Sequence, residues 1–153
     1  MKSGKVPVNV LKRSVLRQLK NKRSEIANSA DLGADCAIFE PLPEGQMVTC
    51  VQEGVVELCC ENDLAEAEKE DPSVMPMCRL FQKCANNLAV AGAEPVAAEL
   101  VIFLPESVEE PELKALMAEA EGAAAEINVQ IIGGQTRVSS AVRQPLAAVT
   151  GYG

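Results

Sequence analysis

The chain has 153 residues, 48% hydrophobic and 24% charged, with a formal net charge of −8 at pH 7. That length suits a single domain over residues 1–153, able to bury about 70% of its unfolded surface. The acidic balance repels phosphate backbones, and its four aromatic residues (Phe39, Phe81, Phe103, Tyr152) are too few for base-stacking platforms, so nucleic acid is not an expected partner.

In chain order, Val8 to Lys22 reads as a helix, with Leu11, Val15 and Leu19 at i, i+4, i+8. Residues 1–23 hold eight of the fourteen basic residues and no acid, leaving six bases and all 22 acids to the rest. The favoured reading of this arm is a solvated face that pairs with its own acidic domain. A short strand is expected near Cys36 to Phe39, then a turn through Pro41, Pro43 and Gly45, and a paired strand from Met47 to Val51. Glu61 to Asp71 carries six acids without an apolar stripe and reads as a solvated loop or short surface helix.

Two stronger helices follow. Pro76 suits a first turn and Gly92 with Pro95 marks the stop, with Met77, Phe81, Cys84, Leu88 and Ala91 on one face. Ser107 with Glu110 fits a capping box, Pro111 the first turn, and Leu113, Leu116, Met117, Ala120, Ala124 and Ile127 form the next stripe. Pro95 to Leu104, Val129 to Ile132 and Leu146 to Val149 read as strands apolar on both faces. The expected fold class is α+β: a sheet of about four strands, helices on one face, and the other face shared with a second copy or another domain. Replacing Leu100 or Ile102 by Asp is expected to break the dimer or the fold.

Six cysteines without a C-x-x-C pair, and no histidine, argue against zinc and against a native disulfide. Val6 to Val10 is too short for a signal-peptide core, and Val96 to Leu104, interrupted by Glu99, is too short to span a bilayer. The expected setting is the reducing cytoplasm, without a membrane partner.

Three segments carry candidate chemistry. Gly133-Gly134-Gln135-Thr136 follows an apolar strand, and a glycine pair at a strand end lets backbone N–H groups face an anion, although most such pairs are turns. Asn87 falls at the margin of its helix's apolar face, where a phosphate or metal contact and a solvated amide are evenly matched readings; Asn86 points away. Asp35 lies in Gly33-Ala34-Asp35-Cys36-Ala37-Ile38.

With Asn86-Asn87-Leu88-Ala89-Val90-Ala91-Gly92-Ala93-Glu94-Pro95, these segments resemble the N-terminal domain of the aminoimidazole ribonucleotide (AIR) synthetase superfamily, most closely its hydrogenase-maturation branch around HypE. The resemblance runs from Gly4 to Gly153. It implies a domain that pairs its sheet across a two-fold axis into a barrel-like homodimer, and proteins that normally continue into a second α/β domain closing over ATP. In that family acids hold Mg²⁺ against the phosphates. Here Ala34, Cys50, Asn87 and Gln135 occupy positions where an acid, or at 135 an acid or histidine, is usual, and Asp35 is the one matched acid. The resemblance thus implies ATP contacts at Asp35, Asn87, Gly133, Gly134, Gln135 and Thr136, with Asp35 the remaining position for a metal. The expected function is a dimer scaffold with a largely eroded Mg-phosphate site, not catalytic alone, and no catalytic residue is assigned. The alternative is the ATP-binding half of an ATP-dependent maturation or synthetase protein, working with a separate C-terminal domain or maturation partner.

Overall fold

Strand β5 (Ala97–Leu104) forms the centre of the molecule because alternate side chains have opposite surroundings. Ala98, Leu100, Ile102 and Leu104 are buried in the main apolar core, whereas Phe103 on the other face is 37% exposed. The computed structural model describes residues 4–28, 31–32, 38–39, 47–56 and 75–153. Their elements are β1 (Gly4–Lys5), α1 (Val8–Val10) running into a π-helical stretch (Leu11–Leu16), β2 (Ile26–Asn28), β3 (Ile38–Phe39), β4 (Thr49–Val55), α2 (Pro76–Val90), β5, α3 (Glu110–Glu126), β6 (Gln130–Val138) and β7 (Leu146–Tyr152).

The fold is α+β. Five strands form a mixed sheet in the order β1-β6-β5-β7-β4, and β2 pairs with β3 separately. Strands β5 and β6 are parallel, which requires a crossover, and α3 supplies it. The other pairs are antiparallel. The fifth strand is β1, where Gly4 and Lys5 pair with Val138 and Arg137. A two-residue strand is too short to show a period of two, so the sequence alone suggests about four strands.

The helices cover one face. Helix α2 buries Met77, Phe81, Cys84 and Leu88, and α3 buries Leu113, Leu116, Met117, Ala120 and Ala124, matching their sequence stripes. Each fully buried large side chain contributes about 1.5–3 kcal/mol. The two helices are also joined by a polar contact. Met75 at the start of α2 offers no capping side chain, and Glu119 of α3 accepts the Met77 N–H at 2.8 Å.

Several local expectations change. The cap of α3 is a Glu109/Glu112 box, with the Glu109 N–H donating to Glu112 Oε2 at 2.7 Å. Glu110 is instead bound to Arg13 and to Ser14 Oγ, the latter at 2.8 Å, so a long-range ion pair displaces the local cap. The first helix stops near Leu16, and beyond it Lys20 and Asn21 give their backbone N–H groups to Glu121 Oε1. Asn21 Nδ2 then donates to Val129 O at 2.8 Å, and Arg23 pairs with Glu25 at 2.7 Å and with Glu94 at 3.5 Å. The basic arm therefore does bind the acidic body. Leu100 and Ile102 lie under the helices, so neither belongs to the uncovered face.

The face that no described helix covers carries an apolar row. Val55 stands opposite Leu146 and Leu146 opposite Phe103. These side chains are 53%, 41% and 37% exposed. Among the described residues, no helix is long and apolar enough to cross a membrane. The expected turn at 41–45, the acidic stretch at 61–71, and Cys36, Cys59 and Cys60 lie outside the described residues.

Candidate functional site

Gly133 and Gly134 sit inside β6, not at its end. Ala98 pairs with Ile131 and Glu99 with Gly133, so Ile132 is an extra residue and the strand bulges there. Gly134 has φ +137, and a Cβ on it would lie 1.9 Å from the Leu100 carbonyl oxygen. The close backbone approach that requires a glycine is therefore to β5, and the sequence signal of a Gly-Gly pair has a structural cause. Gly133 is roomier: a methyl group added there would have Glu99 Oε1, 4.0 Å away, as its nearest neighbour.

Beyond the bulge, residues alternate between faces. Thr136 lies opposite Ile102 and is buried, whereas Gln135 lies opposite Val101, is exposed, and donates from Nε2 to the Thr136 carbonyl at 3.3 Å. Strand β1 reaches β6 only at Arg137 and Val138. Among the described residues, the edge of β6 at 133–136 has no strand partner, which leaves backbone donors for a ligand.

Asn87 is exposed on α2, as is Asn86. Helix α2 packs on the face opposite the one Gln135 occupies, so the two amides do not converge within one chain. Asp35 lies outside the described residues. Cys50, at the start of β4, turns toward α2, with its Sγ 3.2 Å from Cys84 Sγ. Burial, then contact with Cys50, pushes the Cys84 thiol pKa up to about 12.

Two relationships escape sequence reasoning. Cys84 reads as one apolar position of a helical stripe, and no spacing rule links it to Cys50. Glu99 reads as an interruption of an apolar strand, yet Tyr152 donates its hydroxyl to Glu99 Oε2 at 3.0 Å. Burial is the main cause raising the Tyr152 pKa, with Glu99 adding to it. The pair makes a polar spot beside Gly133 on the uncovered face.

Among the described residues, Cys50, Asn87 and Gln135 do not suit a divalent cation. Mg²⁺ takes oxygen ligands and is usually bound through one or two carboxylates with substrate phosphates. The described members of the motifs offer two amides on opposite faces and an inward-turned thiol. Among the described residues, no cluster of three or more His, Cys, Asp or Glu side chains is placed to hold a metal.

With the geometry in place, the chain's class is clear: residues 33–153 match the AIR synthase related protein N-terminal domain family, and the chain belongs to it. Solved structures share the fold. A hydrogenase maturation protein HypE in complex with ATP is 20% identical, with a TM-score of 0.68 over 95% of this chain and 38% of that one. A chain of a HypE–HypF complex is 20% identical, with a TM-score of 0.58 over 73% of this chain and 34% of that one. Thiamine-monophosphate kinase from Stenotrophomonas maltophilia K279a is 19% identical, with a TM-score of 0.62 over 98% of this chain and 43% of that one. At these identities the likeness is one of fold, and the chain spans less than half of each of these proteins. Comparison with curated proteins gives no match.

Proposed function

We propose that this domain is a cytoplasmic homodimeric scaffold of the AIR synthase related family whose Mg-phosphate site is largely eroded, so that it does not catalyse a reaction alone. The observation that carries the reading is the sheet face left open by the described helices, where Val55, Leu146 and Phe103 form an exposed apolar row. An apolar row of this kind marks an interaction surface. A second copy presenting the same row is a self-complementary occupant. The amides at 87 and 135 and the thiol at 50 support the second half of the proposal, since none supplies the charge a Mg-triphosphate needs.

The alternative is the ATP-binding half of a larger ATP-dependent maturation or synthetase protein, with a maturation partner. It is favoured by the likeness over 95% of the chain to a HypE solved with ATP. Among the described residues, the unpaired edge of β6 at 133–136 offers such a ligand backbone N–H groups, whereas contacts at Asp35, Asn87 and Thr136 rest on the family resemblance.

Titration calorimetry with Mg-ATP separates the two. The scaffold reading expects very weak binding and no measurable hydrolysis, whereas a dissociation constant in the low micromolar range establishes the alternative. Light scattering after gel filtration at micromolar protein is expected to give about twice the chain mass of 16.2 kDa.

A further inference from the structure

Cys50 and Cys84 are 34 positions apart in sequence, yet their sulfur atoms lie 3.2 Å from each other. Cys50 Sγ also lies 3.3 Å from the Cys84 carbonyl oxygen. Both are free thiols; Cys84 is buried and Cys50 is half-buried. The space they share is built into the sheet. Cys50 stands opposite Gly151 in the β4/β7 ladder, and Gly151 stands opposite Ala98 in β5. A Cβ on Gly151 would lie 2.5 Å from Cys84 Sγ and 3.9 Å from Cys50 Sγ. Two small residues in one cross-strand row thus leave room for both sulfur atoms beneath α2.

We propose that Cys50 and Cys84 form a redox-active dithiol, which a small peroxide oxidises to a disulfide joining β4 to α2. The half-buried Cys50 reacts first. Its thiolate attacks one peroxide oxygen, the O–O bond breaks, and the departing hydroxide takes a proton to become water, leaving a sulfenic acid on Cys50. Cys84 then loses its proton as its sulfur attacks Cys50 Sγ. The S–S bond forms, the S–O bond breaks, and a second water leaves. Two thiols and one peroxide give one disulfide and two waters: the sulfurs lose two electrons and the peroxide gains them.

The first attack is assigned to Cys50 because it is the more accessible of the two thiols, while burial raises the pKa of Cys84, the thiol that reacts second. A disulfide has an S–S length of about 2.05 Å, so the sulfurs must approach by about 1.2 Å. The bond fastens the edge strand of the sheet to the helix that carries Asn87.

The test treats the full chain with a small excess of hydrogen peroxide, alkylates remaining thiols and digests it with trypsin and a glutamyl endopeptidase. These enzymes isolate Cys50 in residues 45–53, apart from Cys36, Cys59 and Cys60, and place Cys84 at the start of another peptide. The expected product links these two peptides, with a mass loss of about 2 Da that dithiothreitol reverses. The oxidised protein is also expected to melt several degrees higher than the reduced one. Cys50→Ser removes both the link and the shift. Cys50 and Cys84 staying fully alkylatable while other cysteines oxidise, or Cys84 linking to a different cysteine, overturns the proposal.

Discussion

Phe103 and Leu146 face each other across the β5/β7 ladder on the side of the sheet that no described helix covers, 37% and 41% exposed. One position along β5, Ile102 is fully buried beneath the helices. Adjacent residues of one strand therefore serve different purposes, and substitutions at them separate association from folding. Phe103→Asp is expected to give a monomer that still unfolds cooperatively, because its charge stays in water once the chains part. Ile102→Asp is expected to abolish the fold, since an unpaired buried charge costs several kcal/mol. Light scattering and thermal unfolding read both, and a Phe103→Asp protein of undiminished dimer mass would remove this face from the interface.

The two glycines of β6 are expected to differ sharply. Gly134→Ala combines a positive φ with a backbone collision against Leu100, and should cost roughly 3 kcal/mol or more. Gly133→Ala meets nothing closer than 4.0 Å and should stay within about 1 kcal/mol of the parent. Urea unfolding with unchanged slopes measures both. Equal costs would mean that Gly134 makes no such close approach to β5.

Glu110 ties the N-terminal arm to α3, and its pH dependence has a defined sign. Hydrogen bonds from Arg13, then from Ser14, hold its carboxyl at a pKa of about 2, against an ordinary 4.5. Its folded pKa is depressed, so the contribution is complete above the unfolded pKa and disappears as pH falls through the folded one. The melting difference between the parent and Glu110→Gln should be constant above about pH 5.5 and close between about pH 4.5 and 2. Because the pair is exposed, added salt should shrink the difference. A gap that persists unchanged at pH 2 would show that the carboxylate charge is not the source.

Much of this protein was set by its sequence through local rules. The stripes of α2 and α3, the apolar runs of β5, β6 and β7 and the order of the three motifs are short-range patterns, and they lead to an α+β domain of the AIR synthase type. The segregation of bases into the first 23 residues likewise anticipated a basic arm bound to an acidic body. Tertiary structure decided what depends on pairing between distant residues. Register placed Leu100 and Ile102 under helices and left Phe103 and Leu146 uncovered, because a strand apolar on both faces does not say which face the helices take. A bulge at Ile132 turned an apparent strand-end turn into mid-strand backbone contact. Glu110 left its local cap for Arg13, 97 positions away, and Cys50 met Cys84 because Gly151 leaves space between them. No local period encodes such meetings, since each arises where separate elements pack together.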